Sequence, residues 1–488
     1  MIFNSVTYLL FLSLVLCLFW VLPQRPRLWM ILLASVMFYG FWRPEFLLVM
    51  TISAGTDYFV AQRIESCSIN KIRWRWLLVS LTINLGLLFY FKYLHFFLGN
   101  AVATLNFFGY YELETPALNI ILPLGISFYT FQTISYTVDV YRKFIRAEKD
   151  FVVYGCFVTF FPQLVAGPIV RGGELLEQIC AKPKFRLESF VIGIRSILFG
   201  LFLKVVLADN ISPIVDFGFS QPVANLSAID VLTLAFLFGF QIYFDFAGYS
   251  HIAIGSARLM GISLPENFNF PYMSTSPREF WRNWHISLSS WIRDYLYLPL
   301  LGGKVRDRSI DGLAVASTDD TNKIQKPMVA LFLTWTIMGF WHGANWTFVM
   351  WGLLHASYIA IYRTVAPRFS IFPPFIRSIG GWMVTLPLIM LAWVPFRAES
   401  LQTALEMYRK LFSFNEWLYL GMRENTYLVA LVVLIAVMFA YGAKVWALPW
   451  LRIHKWIAFC GDTATFFFTT AFVFVFLRPI NQFIYFQF

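Results

Sequence analysis

Residues 229–255 read IDVLTLAFLFGFQIYFDFAGYSHIAIG, an apolar run in which only Asp230 and Asp245 carry a charge. A helix needs roughly 20 mostly apolar residues to cross the hydrocarbon layer of a membrane, so this run is long enough for one crossing. Twelve further stretches qualify or nearly qualify: 5–22, 28–42, 46–61, 76–97, 117–138, 151–166, 190–207, 328–341, 346–362, 379–396, 427–443 and 462–477. The sequence therefore predicts an all-α, polytopic integral membrane protein.

The composition excludes an ordinary soluble protein. Of 488 residues, 59% are hydrophobic and only 13% are charged, whereas soluble domains carry about 25% charged residues. The formal charge is +11, but the basic residues lie in short stretches between apolar runs, where they set membrane orientation. The expected partner is the lipid membrane, and nucleic-acid binding is not expected. The five cysteines form no C-x-x-C pair, so neither a zinc site nor a disulfide framework is expected.

The charge pattern around residues 151–166 predicts a re-entrant segment. Basic residues cluster at 142–149 before it and at 171–186 after it, and basic loops are typically cytoplasmic. Two successive cytoplasmic loops require the chain to enter the membrane and return, beside a cavity that satisfies its backbone. We expect one membrane domain over 1–488, with a cytoplasmic loop at 304–327.

Residues 265–303 contain the densest mixture of polar and aromatic side chains. The part SPREFWRNWHISLSSWIRDYLYLPLL, residues 276–301, opens with a Ser-Pro helix-start signal. A 3.6-residue period predicts one amphipathic helix with two stripes. The stripes are Trp281, Trp284, Leu288, Trp291, Tyr295 and Leu298, and Arg278, Arg282, His285, Ser289 and Arg293. The helix is either an interfacial membrane anchor or a basic face that guides an anionic ligand toward His285.

His342 lies in MVALFLTWTIMGFWHGANWTF, residues 328–348. A straight helix from Met328 would place it roughly 21 Å along, inside a ~30 Å hydrocarbon layer, where an ionisable group is a functional hypothesis by default. A neutral histidine at this depth suits general base catalysis, although a histidine bonded to another helix fits the same pattern. The remaining histidines, His95, His251, His355 and His454, complete no sequence-local metal pattern.

Several long segments together resemble the membrane-bound O-acyltransferase superfamily, and within it the bacterial alginate O-acetyltransferase branch. They are LPLGISFYTFQTISYTVDVYR at 122–142, FFPQLVAGPIVR at 160–171, QIYFDFAGYSHIAIG at 241–255, PENFNFPYMSTSPREFWRNWHISLSSWIRDYLYLPLLGG at 265–303 and MGFWHGANWTFVMWGLLHA at 338–356. The resemblance extends over roughly residues 1–400.

This resemblance implies an integral membrane enzyme whose helices and re-entrant segments surround a central funnel. It implies transfer of acetyl groups from a cytoplasmic donor, acetyl-CoA, across the bacterial cytoplasmic (inner) membrane. A periplasmic or extracellular partner of the SGNH type would then place them on a polysaccharide such as alginate. By resemblance, His342 takes the position of the catalytic histidine and His285 that of a second conserved polar site.

The predicted helix face adds a hypothesis about the donor. Arg278, Arg282 and Arg293 are positioned to attract its phosphates. Asn345, close to His342 in the chain, is expected among the donor contacts. No bound metal or resident cofactor is expected.

Two other functions remain open at this point. A related D-alanyl transferase for teichoic acid would take its acyl group from a carrier protein, and the FDFAGYS and ENFN segments occur in both branches. A transporter would use buried histidines as proton relays, but no paired broken helices in matching halves are found. His251 stands where relatives often carry an acidic residue, so no proton-relay role is assigned to it.

Overall fold

The computed structural model describes residues 1–109, 113–302, 327–413, 417, 419–477 and 483. Regular secondary structure within these ranges is helical, with no β-strand. The chain divides into two compact units, one of Met1–Ile197 with Tyr249–Pro265 and one of Leu198–Gly248 with Glu266–Phe488. The predicted loop 304–327 lies outside the described residues, apart from Pro327.

The first unit contains the helices of the N-terminal part of the chain. They are α1 (Val6–Val21), α2 (Gln24–Gly40), α3 (Phe46–Ser66), α4 (Asn70–Leu88), α5 (Leu94–Phe107), α6 (Ile126–Tyr141), α7 (Phe151–Thr159), α8 (Phe161–Leu164), α9 (Gly172–Cys180) and most of α10 (Leu187–Leu201).

The second unit contains most of the later helices. They are α11 (Asp209–Ser220), the first part of α12 (Ala228–Leu259), α13 (Pro277–Asn283), α14 (Ile286–Ile292), α15 (Leu298–Leu300), α16 (Pro327–His342), α17 (Trp346–Val365), α18 (Pro374–Arg397), α19 (Leu401–Lys410), α20 (Glu424–Gly442), α21 (Leu448–Ile453) and α22 (Lys455–Phe476).

Five helical stretches in the described part of the chain are long and apolar enough to cross a membrane. They are Asn70–Phe107, Leu187–Ser220, Ala228–Leu259, Pro374–Arg397 and Glu424–Ala447. Each contains one of the apolar runs predicted from sequence. The prediction of an all-α protein with several membrane spans is therefore confirmed.

The segment 151–166 is not one continuous helix. It forms α7 and the short α8, which are separated at Phe160, and both helices are buried in the first unit. Asp150 caps α7 by accepting a hydrogen bond of 2.8 Å from the Val152 backbone N–H. A nine-residue helix rises about 13 Å, less than half of a ~30 Å hydrocarbon layer. This segment therefore does not cross as a single helix.

The prediction of a single amphipathic helix over residues 276–301 is wrong. Ser276 caps α13 as the Ser-Pro signal predicts, but α13 ends at Asn283 and α14 begins at Ile286. His285 lies between them with φ of +42°, a left-handed conformation that no helix interior accommodates. Because the helix breaks there, the predicted stripes do not continue through it, and the three tryptophans of the apolar stripe are buried.

Candidate active site

Helices α16 and α17 pack closely through two glycines. A Cβ atom on Gly339 or on Gly352 would collide with a backbone carbonyl of the other helix. Only glycine permits so close a backbone approach. The two helices are joined by a short turn in which the side chain of Asn345 accepts a hydrogen bond of 3.1 Å from the Thr347 backbone N–H. This tight hairpin fixes His342, the last residue of α16, against α17.

His342 lies in an aromatic environment and is only 4% exposed. Its ring centroid is 4.8 Å from that of Trp351 on α17, with the planes at 78°. Phe396 of α18 contributes a second ring at 5.3 Å. In such apolar surroundings hydrogen bonds and charges act more strongly than in water. The burial expected for His342 is found, and its catalytic role stays a prediction.

Asn267 holds His285 and the two residues after it: its backbone carbonyl accepts a hydrogen bond of 2.9 Å from the Ile286 backbone N–H, and its side chain contacts His285 and Ser287. The Asn267 Oδ1 atom accepts hydrogen bonds from the Ser287 backbone N–H at 3.2 Å and from the Ser287 hydroxyl at 2.7 Å. The same oxygen lies 3.2 Å from Nδ1 of His285. Because a carbonyl oxygen only accepts, Nδ1 must carry the proton. Nε2 of the neutral ring is then a hydrogen-bond acceptor.

The charge state of His285 follows from its burial. The side chain is fully buried, and the ring of Phe246 stands perpendicular to it at 4.6 Å. Burial lowers the pKa of His285 from 6.5 to about 3, since desolvation disfavours the charged form. The imidazole is therefore neutral at physiological pH.

A row of three indole rings connects the surroundings of the two histidines. Trp351, which packs on His342, lies 6.2 Å from Trp393. Trp393 lies 5.0 Å from Trp284, the residue that precedes His285. We call Trp351, Trp393 and Trp284 the indole row. All three are fully buried, so tertiary packing brings both histidines to one dry aromatic core in the second unit.

A cavity of about 140 Å³ opens beside this core. Three arginines, five aromatic or polar residues and four aliphatic residues or methionine line it: Arg278, Arg293, Arg363, Trp281, Trp335, Tyr297, Thr334, Ser289, Ile292, Leu331, Met338 and Ile359. The hydroxyl of Thr334 is buried and forms no hydrogen bond within the part of the chain that the structure describes. Cationic, aromatic and unsatisfied polar groups around one cavity are typical of a site for an anionic ligand.

The cavity follows the helix face that ends at His342. Leu331, Thr334, Trp335 and Met338 of α16 all line it, with the spacing of one helix face. His342 follows Met338 by four residues on the same face. Thr334 precedes His342 by eight residues, a rise of about 12 Å. His342 itself is buried and is not among the lining residues.

The residues predicted to bind the donor do not all line the cavity. Arg278 and Arg293 line it. Arg282 is exposed and is not among the lining residues. Asn345 caps α17, as described above. Donor binding by these four residues stays a prediction.

Sequence reasoning missed Arg363, and it considered His355 only as a histidine that completes no metal pattern. Arg363 lines the cavity and donates a hydrogen bond of 3.2 Å to the Tyr297 hydroxyl. His355 is fully buried, and its Nδ1 accepts a hydrogen bond from the Trp281 indole. The four-residue spacing of Trp351, His355, Ile359 and Arg363 on α17 is a signal that could have found both.

A buried ion cluster was also not foreseen. Nζ of Lys204 lies 2.6 Å from Oδ1 of Asp245 and 2.8 Å from Oδ1 of Asp209. Lys204 and Asp245 are both buried. Asp245 directly precedes Phe246, the ring that packs on His285. Removing one member of such a cluster would leave an uncompensated charge in the core.

His251 belongs to the first unit, where its backbone oxygen accepts a hydrogen bond of 2.9 Å from Ser196. Within the described ranges, no group of three or more His, Cys, Asp or Glu side chains is arranged to hold a metal ion.

Comparisons with known proteins show the family of this chain. A model of the membrane-bound O-acyltransferase family matches residues 145–315, which include the cavity residues of α13 and α14. A probable alginate O-acetylase of Azotobacter vinelandii is 38% identical over 86% of this chain and 79% of its own length. A peptidoglycan O-acetyltransferase of Helicobacter pylori is 36% identical over 80% and 75%, respectively.

A more distant relative has the alternative function that the sequence left open, D-alanyl transfer to teichoic acid. The teichoic acid D-alanyltransferase of Bacillus subtilis is 29% identical over 53% of this chain and 63% of its own length. The O-acetyltransferases therefore match more of the chain at higher identity. With this similarity, its membrane-length helices and its buried histidines, the chain belongs to the membrane-bound O-acyltransferase family and is a multi-pass membrane O-acyltransferase.

Proposed function

We propose that this protein moves acetyl groups from acetyl-CoA on the cytoplasmic side across the bacterial cytoplasmic membrane, for O-acetylation of an exported or cell-surface polysaccharide. The names of its relatives, alginate O-acetylase and peptidoglycan O-acetyltransferase, support the acetyl group and the polysaccharide. The observation that carries the proposal is the α16 face that lines an arginine-rich cavity and ends at His342.

The cavity has the chemistry that a coenzyme A donor needs. Arg278, Arg293 and Arg363 offer positive charge for phosphates, and the indoles of Trp281 and Trp335 offer apolar surface. The acetyl thioester would extend along α16 toward His342. Its anionic end would stay among the arginines.

In the proposed reaction His342 acts as the general base. Its neutral ring takes the proton from an acceptor hydroxyl, and the hydroxyl oxygen forms a bond to the thioester carbonyl carbon. The carbon–sulfur bond then breaks, and the leaving thiolate receives the proton from His342. The products are an O-acetyl ester and a free thiol, and His342 is returned to its neutral state.

His285 is proposed to orient a reactant. Two roles are considered for it, orientation of the donor and stabilisation of the developing oxyanion. A neutral His285 whose Nδ1–H is directed at Asn267 offers Nε2 only as an acceptor. An oxyanion requires a donor, so the hydrogen bonding favours orientation of a substrate N–H or O–H group.

The final acceptor is proposed to be reached through a partner. An SGNH-type protein outside the membrane would receive the acetyl group and place it on sugar hydroxyls. Alginate, peptidoglycan and other surface polysaccharides are all compatible with the names of the relatives.

The test is the O-acetyl content of the secreted and wall polysaccharides in a deletion strain complemented with either the native protein or His342→Gln. We expect O-acetyl esters, measured by NMR, to return with the native protein only. Membranes should also incorporate radiolabel from acetyl-CoA. A change in wall D-alanine with no change in acetyl esters would instead support the D-alanyl transferase.

A further inference from the structure

Asp57 is a buried carboxylate far from either end of its helix. It lies in the middle of α3, and its side chain is fully buried in the first unit. Helices α4 and α6 pack against α3 and against each other. Asp57 therefore faces the interior of a three-helix cluster, in a segment whose apolar composition predicts a position within the membrane.

Neutral side chains surround this carboxylate. The Ser80 hydroxyl donates to Oδ1, and the Asn84 amide donates to Oδ2 at 2.8 Å. Oδ1 of Asn84 in turn accepts from the hydroxyls of Ser53 at 2.5 Å and Thr133 at 3.3 Å. Three helices thus contribute hydroxyl and amide groups to one polar cluster around Asp57.

Two further hydroxyls are buried near this carboxylate. Thr137, one turn beyond Thr133 on α6, and Tyr154 of α7 both lie beside Asp57. Each is at most 1% exposed; the Thr137 hydroxyl is positioned to donate to the Asp57 carboxylate, and the Tyr154 hydroxyl forms no hydrogen bond within the described ranges. The Thr137 oxygen therefore lies close enough to the carboxylate to contact a species bound there, and the Tyr154 hydroxyl is a buried polar group of the kind that is normally satisfied.

The cluster contains no positive charge to balance Asp57. In the part of the chain that the structure describes, no Lys, Arg or His forms an ion pair with it. The other titratable groups beside it are the phenols of Tyr136 and Tyr154, which are ordinarily neutral. A buried carboxylate without a paired positive charge is costly, so something must compensate its charge.

We propose that Asp57, with Ser53, Ser80, Asn84, Thr133 and Thr137, forms a binding site for one small monovalent cation, either Na⁺ or a proton. One carboxylate balances one positive charge, whereas Mg²⁺ or Ca²⁺ would leave the site positive. Carboxylate, hydroxyl and amide oxygens are hard ligands that suit Na⁺, and a proton would satisfy the same carboxylate directly. Occupancy of the site holds α3, α4 and α6 together.

The test is the thermal unfolding of the purified full-length protein. Unfolding is measured in NaCl, KCl and choline chloride at equal ionic strength and over a pH series. A ligand that binds only the folded state raises the melting temperature with its concentration. If the cation is Na⁺, Tm rises by several degrees with Na⁺ alone. If it is a proton, Tm does not depend on the Na⁺ concentration and falls as the pH rises.

Either dependence should be lost in Asp57→Asn, which keeps the shape of the side chain but removes its charge. Asp150→Asn is the matched control, because Asp150 pairs with Arg25, and it should respond as the native protein does. Thr137→Val keeps the carboxylate and should shift the midpoint of the same dependence several-fold.

Equal responses of the native protein and Asp57→Asn would overturn the proposal. If Asp57→Asn does not fold, an unchanged midpoint in Thr137→Val would overturn it instead. Because the readout is stability and not transfer, the outcome is independent of the proposed acetyl transfer.

Discussion

Nε1 of Trp281 donates a hydrogen bond of 3.2 Å to Nδ1 of His355. Trp281 lines the arginine-rich cavity, while His355 is fully buried behind it. Because a neutral imidazole has one N–H, this bond requires the proton to reside on Nε2 of His355. The relationship joins α13 to α17 and fixes both the cavity wall and the tautomer of a core histidine.

Replacing Trp281 with phenylalanine should destabilise the protein by about 1–3 kcal/mol, because His355 loses its buried hydrogen-bond donor while most of the ring packing is kept. Thermal unfolding of the purified protein measures this. Trp346, which is half-exposed, provides the matched control, and Trp346→Phe should change stability little. Equal effects of the two substitutions would contradict the assigned hydrogen bond.

His342→Gln should lower acetyl transfer by about 10²- to 10⁴-fold, the usual contribution of a general base, and leave the folded protein intact. Transfer is measured with radiolabelled acetyl-CoA, and folding by gel filtration and thermal unfolding. His95 is exposed, so His95→Gln should keep native activity. A folded His342→Gln protein with normal transfer would exclude His342 as the base.

Substitution of Arg278, Arg293 or Arg363 with glutamine should raise KM for acetyl-CoA by roughly tenfold, since each loses a charge-assisted contact with the donor. The effect on kcat should be smaller, because the reacting atoms lie near His342. Steady-state kinetics in membranes separates the two parameters.

Arg282→Gln distinguishes the cavity from the helix face predicted from sequence. Arg282 is exposed and absent from the cavity lining, so its substitution should leave KM nearly unchanged. If KM rose as much as in the other three variants, donor binding would extend along the surface of α13 and not be confined to the cavity.

Gly352→Ala should destabilise the protein by about 1–3 kcal/mol or more, because the added methyl group collides with a backbone carbonyl of α16. Transfer should fall with it, since the hairpin that holds His342 must open. Gly380 on α18 has no atom within 4 Å of its added Cβ, and Gly380→Ala should be tolerated. Thermal unfolding that ranks the two variants equally would contradict the close α16–α17 packing.

The depressed pKa of His285 predicts a component of the pH dependence of stability. Below its usual value of 6.5 the unfolded protein binds a proton at this residue, while the folded protein does so only near a pKa of about 3. Stability is therefore fully present above pH 6.5 and declines as the pH falls toward 3.

In His285→Gln this component is absent, so the free energy of unfolding should fall less steeply over the same pH range than in the native protein. Denaturation at a series of pH values measures the two slopes. Parallel slopes would show that His285 is not buried in its neutral form.

Much of the fold could be predicted from local sequence. Apolar runs such as 229–255 could be predicted as membrane helices, because the length of an apolar run decides whether it can span a membrane. The Ser-Pro pair at 276–277 marked a helix start because its capping hydrogen bond reaches only three residues ahead. The burial of His342 was expected from its position directly after the apolar run 328–341.

Other features could not be read from local patterns. The break at His285 depends on Asn267, a residue 18 positions away, and periodicity within one segment contains no information about such a partner. The lining of the cavity likewise could not be predicted from one segment. Arg278 and Arg293 line it and Arg282 does not, while Arg363 comes from another helix.

The sequence by itself determined a multi-span helical membrane protein with His342 buried, because hydrophobicity and helix capping are local properties. Only the tertiary structure decided which arginines surround the cavity, which tautomers His285 and His355 adopt, and which neutral groups enclose Asp57. Those outcomes depend on contacts between segments that are distant in the chain. Close backbone approach, as at Gly339 and Gly352, and individual hydrogen bonds determine which side chains meet.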